Sequence, residues 1–218
     1  MKSIFNRKIL SAIIFIIILV FILFFFKAFP SVRIEIKEYN RAINYLNISN
    51  EIYYRQTFND CAPYSVMAVI NIIKGEIKDP IILAREMQWR SVRRLTLPQG
   101  LISLLNKYNI KTKEYSLKIY SDDEKAIWLK NQIDNGNPII LLVKYKRSQH
   151  YFTVIGYDEI GFMIYDSAQE KQEENQIKTI IDREEYVGNR YYTNNELMEL
   201  WNKGGYFIFI RNWALVCY

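Results

Sequence analysis

Histidine and cysteine are scarce in this chain: one histidine, His150, and two cysteines, Cys61 and Cys217, in 218 residues. That scarcity excludes several chemistries. An HExxH zinc site needs two imidazoles, and only one exists. There is no CxxC pair, no GxxxxGK phosphate loop and no GxSxG nucleophile elbow. Internal repeats are absent. Charge of one sign is not concentrated either. Lys2, Arg7 and Lys8 account for three of the net +6, leaving +3 on residues 9–218, with acidic and basic side chains mixed. Without a sustained basic stripe no nucleic-acid partner is expected, and the pair Arg93-Arg94 reads as solvated surface. No metal or cofactor is expected.

Apolar residues, in contrast, make up half the chain, enough for a real core. Ile9–Phe26 carries no charge. Eighteen residues at 1.5 Å rise give about 27 Å, enough to span a hydrocarbon layer. No small-x-small cleavage site follows, so an uncleaved signal anchor is expected over 9–26, making the membrane itself a partner. The basic residues 2, 7 and 8 favour a cytoplasmic tail over 1–8. Together they predict a single-pass membrane protein with its main domain outside the cytoplasm. Residues 27–51 read as a charged stalk with one helical turn around Tyr39–Leu46, and the folded domain as 52–218.

Within that domain Ala62–Lys74 has helical spacing, with Pro63 in the first turn and Gly75 at the end. Asp79-Pro80 starts a second helix reaching Met87, and Leu101–Tyr108 a third. Ser121-Asp-Asp-Glu124 is a capping box opening a helix toward Gly136. Three short runs rich in β-branched and aromatic residues follow, Pro138–Tyr145, Tyr151–Tyr157 and Phe162–Tyr165, and these predict neighbouring antiparallel strands. Residues 168–192 are polar and read as a long surface insertion. Thr193 caps a last helix to Asn202, and Tyr206–Ile210 and Trp213–Cys217 predict terminal strands. Helices first and antiparallel strands later make an α+β fold.

The candidate chemistry centres on Cys61. It stands at a helix N-terminus, where partial positive charge favours thiolate. A thiol also needs a base, and His150, at the start of an apolar strand, is the one imidazole available to accept its proton and return it to a leaving amine. Asp166 ends the following strand, where a hairpin through Glu159-Ile-Gly161 brings it beside His150 to fix the ring's tautomer. Gln56 lies far enough upstream for its amide to turn back and join the Cys61 N–H at a developing oxyanion. Losing one such donor typically costs about 2.7–4 kcal/mol of transition-state stabilisation. Asp60 reads as a cap for the helix rather than as a catalytic group. Pairing of Cys61 with Cys217 would remove the nucleophile and is not expected.

Taken together, these residues make the chain resemble the C39-like branch of papain-like cysteine peptidases. The pattern is Gln56 ahead of Asp60-Cys61-Ala62, then Asn137-Pro138-Ile-Ile, then His150-Tyr-Phe-Thr-Val-Ile-Gly156-Tyr157, then Asp166. Asn195-Glu196-Leu197 with Trp201 is similar to the family's late helix. The likeness spans roughly residues 52–212, with Ser167 where the family usually has Pro. It implies a papain-like fold of N-terminal helices and C-terminal antiparallel sheet, here preceded by one transmembrane helix, and a membrane-anchored cysteine peptidase acting on a peptide or protein. The double-glycine substrates of exporter-fused relatives are not expected. Two alternatives stay open: a catalytically silent anchored peptide-binding or immunity module, and an acyl or aminoacyl transferase using the same thiol.

Overall fold

The structure, a computed structural model, describes residues 2–28, 34–36, 41–171, 173, 177–206 and 210–218, with the side chains of the first stretch described at 9–22. The N-terminal helix α1 runs Lys2–Ala28, and its described side chains are exposed. Among the described residues no helix is long and apolar enough to cross a membrane. The expected transmembrane anchor over 9–26 is thereby corrected. With it go the membrane partner, the single-pass and extracytoplasmic placement, and the anchoring attached to the function.

The rest of the chain is α+β. A short strand β1 (Asn44–Tyr45) precedes three helices, α2 (Cys61–Lys74), α3 (Pro80–Glu86) and α4 (Pro98–Lys107). Each boundary has a local cause. Gly75 ends α2 in the left-handed conformation at φ 68°, which glycine takes without steric cost. The Asp79 side chain accepts from the Ile81 N–H and Pro80 opens α3. Strand β2 (Thr112–Ser116) comes next, then α5 (Asp122–Asp134), whose capping box joins Ser121 and Glu124 in both directions.

From there strands dominate: β3 (Ile139–Tyr145), β4 (Ser148–Tyr157), β5 (Gly161–Tyr165) and β6 (Arg190–Thr193), followed by α6 (Asn194–Lys203). A two-stranded ribbon, β7 (Gly205–Tyr206) with β8 (Ile210–Arg211), and β9 (Trp213–Cys217) complete the chain. The main sheet is antiparallel in the order β2-β9-β3-β4-β5-β6, with β1 beside the far end of β4.

Period-two alternation sends each strand's side chains to two different cores. Ile140, Leu142, Tyr151, Tyr165, Leu215 and Cys217 pack with α2, α3 and α4. Ile139, Leu141, Phe152, Ile164, Ala214 and Val216 pack with α5 and α6, around Trp128 and Trp201. A sheet covered on both faces explains why β3, β4 and β5 read as nearly continuous apolar runs.

Three expectations change. Residues 39–40 of the predicted turn around Tyr39–Leu46 lie outside the described residues, and the remainder holds β1, with no helix. Residues 207–209 of the predicted strand Tyr206–Ile210 also lie outside them, and its two ends belong to β7 and β8. Residues 168–192, apart from 172 and 174–176 outside the described set, are not simply surface. Thr179, Gly188 and Asn189 are buried, and Arg190 begins β6. Charge in this tract masks its strand, because Arg190 turns inward toward the buried Asp166.

Candidate active site

Cys61 is the first residue of α2, partly exposed, so its backbone N–H lacks an intrahelical acceptor. Asn59 prepares that entry: at φ 53° it takes the left-handed turn that asparagine tolerates, and its side-chain NH2 donates to the Arg93 carbonyl at 2.9 Å. Asp60 does not cap the helix, which corrects that expectation. Its carboxylate instead accepts from Thr57 and Arg90 and pairs with Arg94 at 3.1 Å. Two cations drawn onto one buried carboxylate outcompete a local cap. Arg94 is therefore tied down as well as solvated.

His150 is buried on β4, opposite Val143 of β3. Its Nε2 lies 2.7 Å from Asp166 Oδ1. Residues 150, 152 and 154 share one face of β4, and 162, 164 and 166 continue the same face along β5. The hairpin through Gly161 therefore sets the carboxylate beside the ring. With Nε2 engaged by Asp166, Nδ1 is the nitrogen left for Cys61, which lines the same cavity as the ring. Burial works against an imidazolium here. Asp166, and then Cys61, outweigh it and push His150 up from 6.5 to about 10. Asp166 is wholly buried, which alone would raise it. The His150 cation, Arg190 and the Ala168 N–H hold it below the ordinary carboxylate range instead.

Gln56 reaches the same place from the loop before α2. Its N–H donates to the Ser167 carbonyl and its Oε1 accepts from Ser167 Oγ, both at 2.8 Å. With the carbonyl end of the amide so held, the NH2 end remains to donate. Ser167, the departure from the usual Pro, thus ties the glutamine to the strand end that carries Asp166. The aspartate itself is fixed by Asn189, which accepts from its N–H and donates to its carbonyl, both at 2.8 Å. Gln56, Cys61 and His150 line one open cavity of about 380 Å³, with Tyr145, Gln149 and Ala168. A more apolar cavity of about 560 Å³ lies alongside and shares Arg55 and Thr57.

Sequence reasoning missed Asn189, Arg190 and the phenols near the sulfur, and it noted Ser167 only as a departure from Pro. Tyr151 and Tyr206 both donate to the Thr96 carbonyl, at 3.0 and 3.3 Å. Burial, together with the negative charge Cys61 can carry, pushes Tyr206 up to about 12. None of these residues carries a motif. Only the run Gly188-Asn189-Arg190 inside an otherwise charged tract hinted at a structured strand entry. Neither cysteine forms a disulfide, and Cys217 is fully buried on β9, its thiol pushed well up by burial. Among the described residues no cluster of histidine, cysteine and carboxylates could hold a metal ion.

A helix-borne thiol facing a strand-borne imidazole that a carboxylate holds from behind is an arrangement suited to thiol-dependent acyl chemistry. Residues 45–197 match the Peptidase_C39 like family, and the chain belongs to that family. Among curated proteins no relative matches the chain. Among solved structures, it is similar to the peptidase domain of Streptococcus ComA, a bi-functional ABC transporter involved in a quorum sensing pathway. That likeness has 19% identity, 76% of this chain and 97% of that one covered, and a TM-score of 0.48. A protein described as a C39-like peptidase from Bacillus anthracis is similar at 13% identity, with 78% and 96% covered and a TM-score of 0.49. The peptidase domain of Streptococcus mutans ComA is similar at 13% identity, with 76% and 98% covered and a TM-score of 0.42. At TM-scores below 0.5 these likenesses carry no argument about substrate or partner.

Proposed function

We propose that the chain is a cysteine peptidase that hydrolyses a peptide bond through an acyl-enzyme. The Cys61 thiolate attacks the scissile carbonyl carbon, with His150 as the imidazolium that holds its proton. The C–N bond breaks as His150 gives that proton to the leaving amine. Water then attacks the thioester with His150 as base, releasing the carboxylate product and restoring the thiol. Gln56 NH2 and the Cys61 N–H donate to the oxyanion in both tetrahedral states. Asp166 keeps the ring's second nitrogen occupied, so that the nitrogen facing sulfur stays aimed.

The observation that supports this reading most is the His150–Asp166 hydrogen bond at the wall of a cavity that Cys61 and Gln56 also line. The family match supports the peptidase class. The test is labelling by a thiol-directed activity probe together with cleavage of a peptide library. Cys61→Ala abolishes both. Equal labelling of that variant would assign the reactive thiol to Cys217 and overturn the proposal.

A further inference from the structure

Asp166 uses one of its oxygens fully: Oδ1 meets His150 Nε2 at 2.7 Å and accepts the Ala168 N–H at 2.8 Å. Oδ2 is buried and accepts no hydrogen bond among the described residues, and Arg190 Nη1 stands 3.7 Å from it. The Arg190 side chain is only 13% exposed. Its Nη1 donates to Tyr145 OH at 3.2 Å and Tyr192 OH at 2.7 Å, its Nη2 donates to Gln169, and its Nε lies 3.7 Å from Asp182 Oδ2. The rings of Tyr145 and Tyr192 each lie 5.4 Å from the guanidinium carbon. A planar cation boxed by two phenols, an amide and a carboxylate cannot swing away to solvent. The placement also follows from the sheet: Arg190 pairs across from Ile164, and Asp166 leaves β5 two residues later.

We propose that Arg190 is a positioning residue of the site, orienting Asp166 and keeping it ionised through the oxygen that His150 leaves unused. Its cation biases the Cys61–His150 pair toward thiolate. The proposal rests on the thiol–imidazole reading above and deepens it. Among the described residues the charged and titratable groups around this cation are Asp166 after β5 with His150 behind it on β4, Asp182 from the loop before β6, Tyr145 on β3 and Tyr192 on β6. Cys61 lies across the His150 ring. Asp182 is partly exposed and neutralises the guanidinium only from its far side.

The experiment is the rate of Cys61 alkylation by iodoacetamide across pH in the full chain, read at that residue by mass spectrometry, for the parent protein, R190K, R190Q and R190M. Removing a nearby cation disfavours thiolate, so a more alkaline pH is needed to form it. R190Q and R190M move the apparent midpoint upward by about 0.5 unit or more, a roughly threefold lower rate at the acid foot of the curve. R190K, which keeps the charge, leaves the midpoint in place. An unmoved midpoint in R190Q and R190M, with rates scaled equally at every pH, would reduce Arg190 to packing and overturn the proposal. So would a shift in R190K as large as that in R190Q. If thermal melting shows R190M unfolded, the comparison of R190Q with R190K decides alone. H150A separates the two levels: a midpoint indifferent to His150 overturns the thiol–imidazole pair itself, whatever Arg190 does.

Discussion

Because His150 is the sole histidine, its ring protons give a single, unambiguous magnetic-resonance titration. That titration lies far above 6.5, near pH 10. It falls in Cys61→Ala, which removes one source of negative charge, and further in Asp166→Asn, which removes the larger one. A midpoint at or below 6.5 in the parent protein would mean that burial, not the aspartate, governs the ring. The same shift sets a pH dependence of stability. A group raised in the folded state contributes stability fully below its unfolded pKa of 6.5 and loses it as pH rises through about 10. Asp166 has the opposite sign: its contribution is present above the ordinary carboxylate value and lost as pH falls through its lowered folded one. Between those limits the pair is ionised, and the proposed activity is expected in that window. Cys61 and His150 stood out as candidates because the chain has two thiols and one imidazole, whereas Asp166 and Gln56 were candidates by position alone. The buttress of Ser167, Asn189 and Arg190 was not legible, since polar residues in a charged tract look the same whether they face water or a buried carboxylate.

Elements with sharp boundaries were equally legible. The capping boxes at Ser121 and Thr193, Asp79-Pro80 and the left-handed Gly75 are local hydrogen-bond and dihedral facts that depend on no distant contact. Strands β2 and β6 were not. Each is an outer strand of the main sheet and carries charge, so its pairing rather than its composition makes it a strand. The turn between β4 and β5 couples this scale to the site. Asp158 accepts the Ile160 and Gly161 N–H groups at 2.8 and 2.7 Å, and a Cβ on Gly161 would run into the Tyr192 carbonyl oxygen. Gly161→Ala therefore pushes β6 off β5 and carries Arg190 with it. Denaturant unfolding of that variant shows a loss of roughly 2 kcal/mol or more, with slower alkylation of Cys61. An unchanged midpoint would mean that β6 does not need this close approach.

Over the whole molecule the sheet divides two cores, and the site forms where the N-terminus of α2 meets the end of that sheet. The layer of α5 and α6 lies on the face of Phe152 and Ile164, with Trp201 fully buried and donating its indole N–H to the Trp213 carbonyl at 2.9 Å. Trp201→Ala costs about 3–5 kcal/mol by chemical denaturation, and a cost below about 1 kcal/mol would contradict that layering. The long apolar run near the N-terminus is where whole-molecule reading from sequence went wrong. Hydropathy over eighteen residues predicted a membrane anchor, whereas among the described residues no helix is long and apolar enough to span one.

By itself the sequence determined the reactive inventory and the local starts and stops of most helices and central strands. One imidazole and one thiol at a helix start leave little choice of candidate chemistry, and caps and turns act over three or four residues. Only the tertiary structure decided which polar residues face inward, that the sheet is covered on both sides, and that Arg190 and Asn189 stand behind Asp166. Those outcomes depend on strand pairing between residues distant in the chain. A buried charge is stabilised by whatever partner that pairing delivers, and not by its neighbours in sequence.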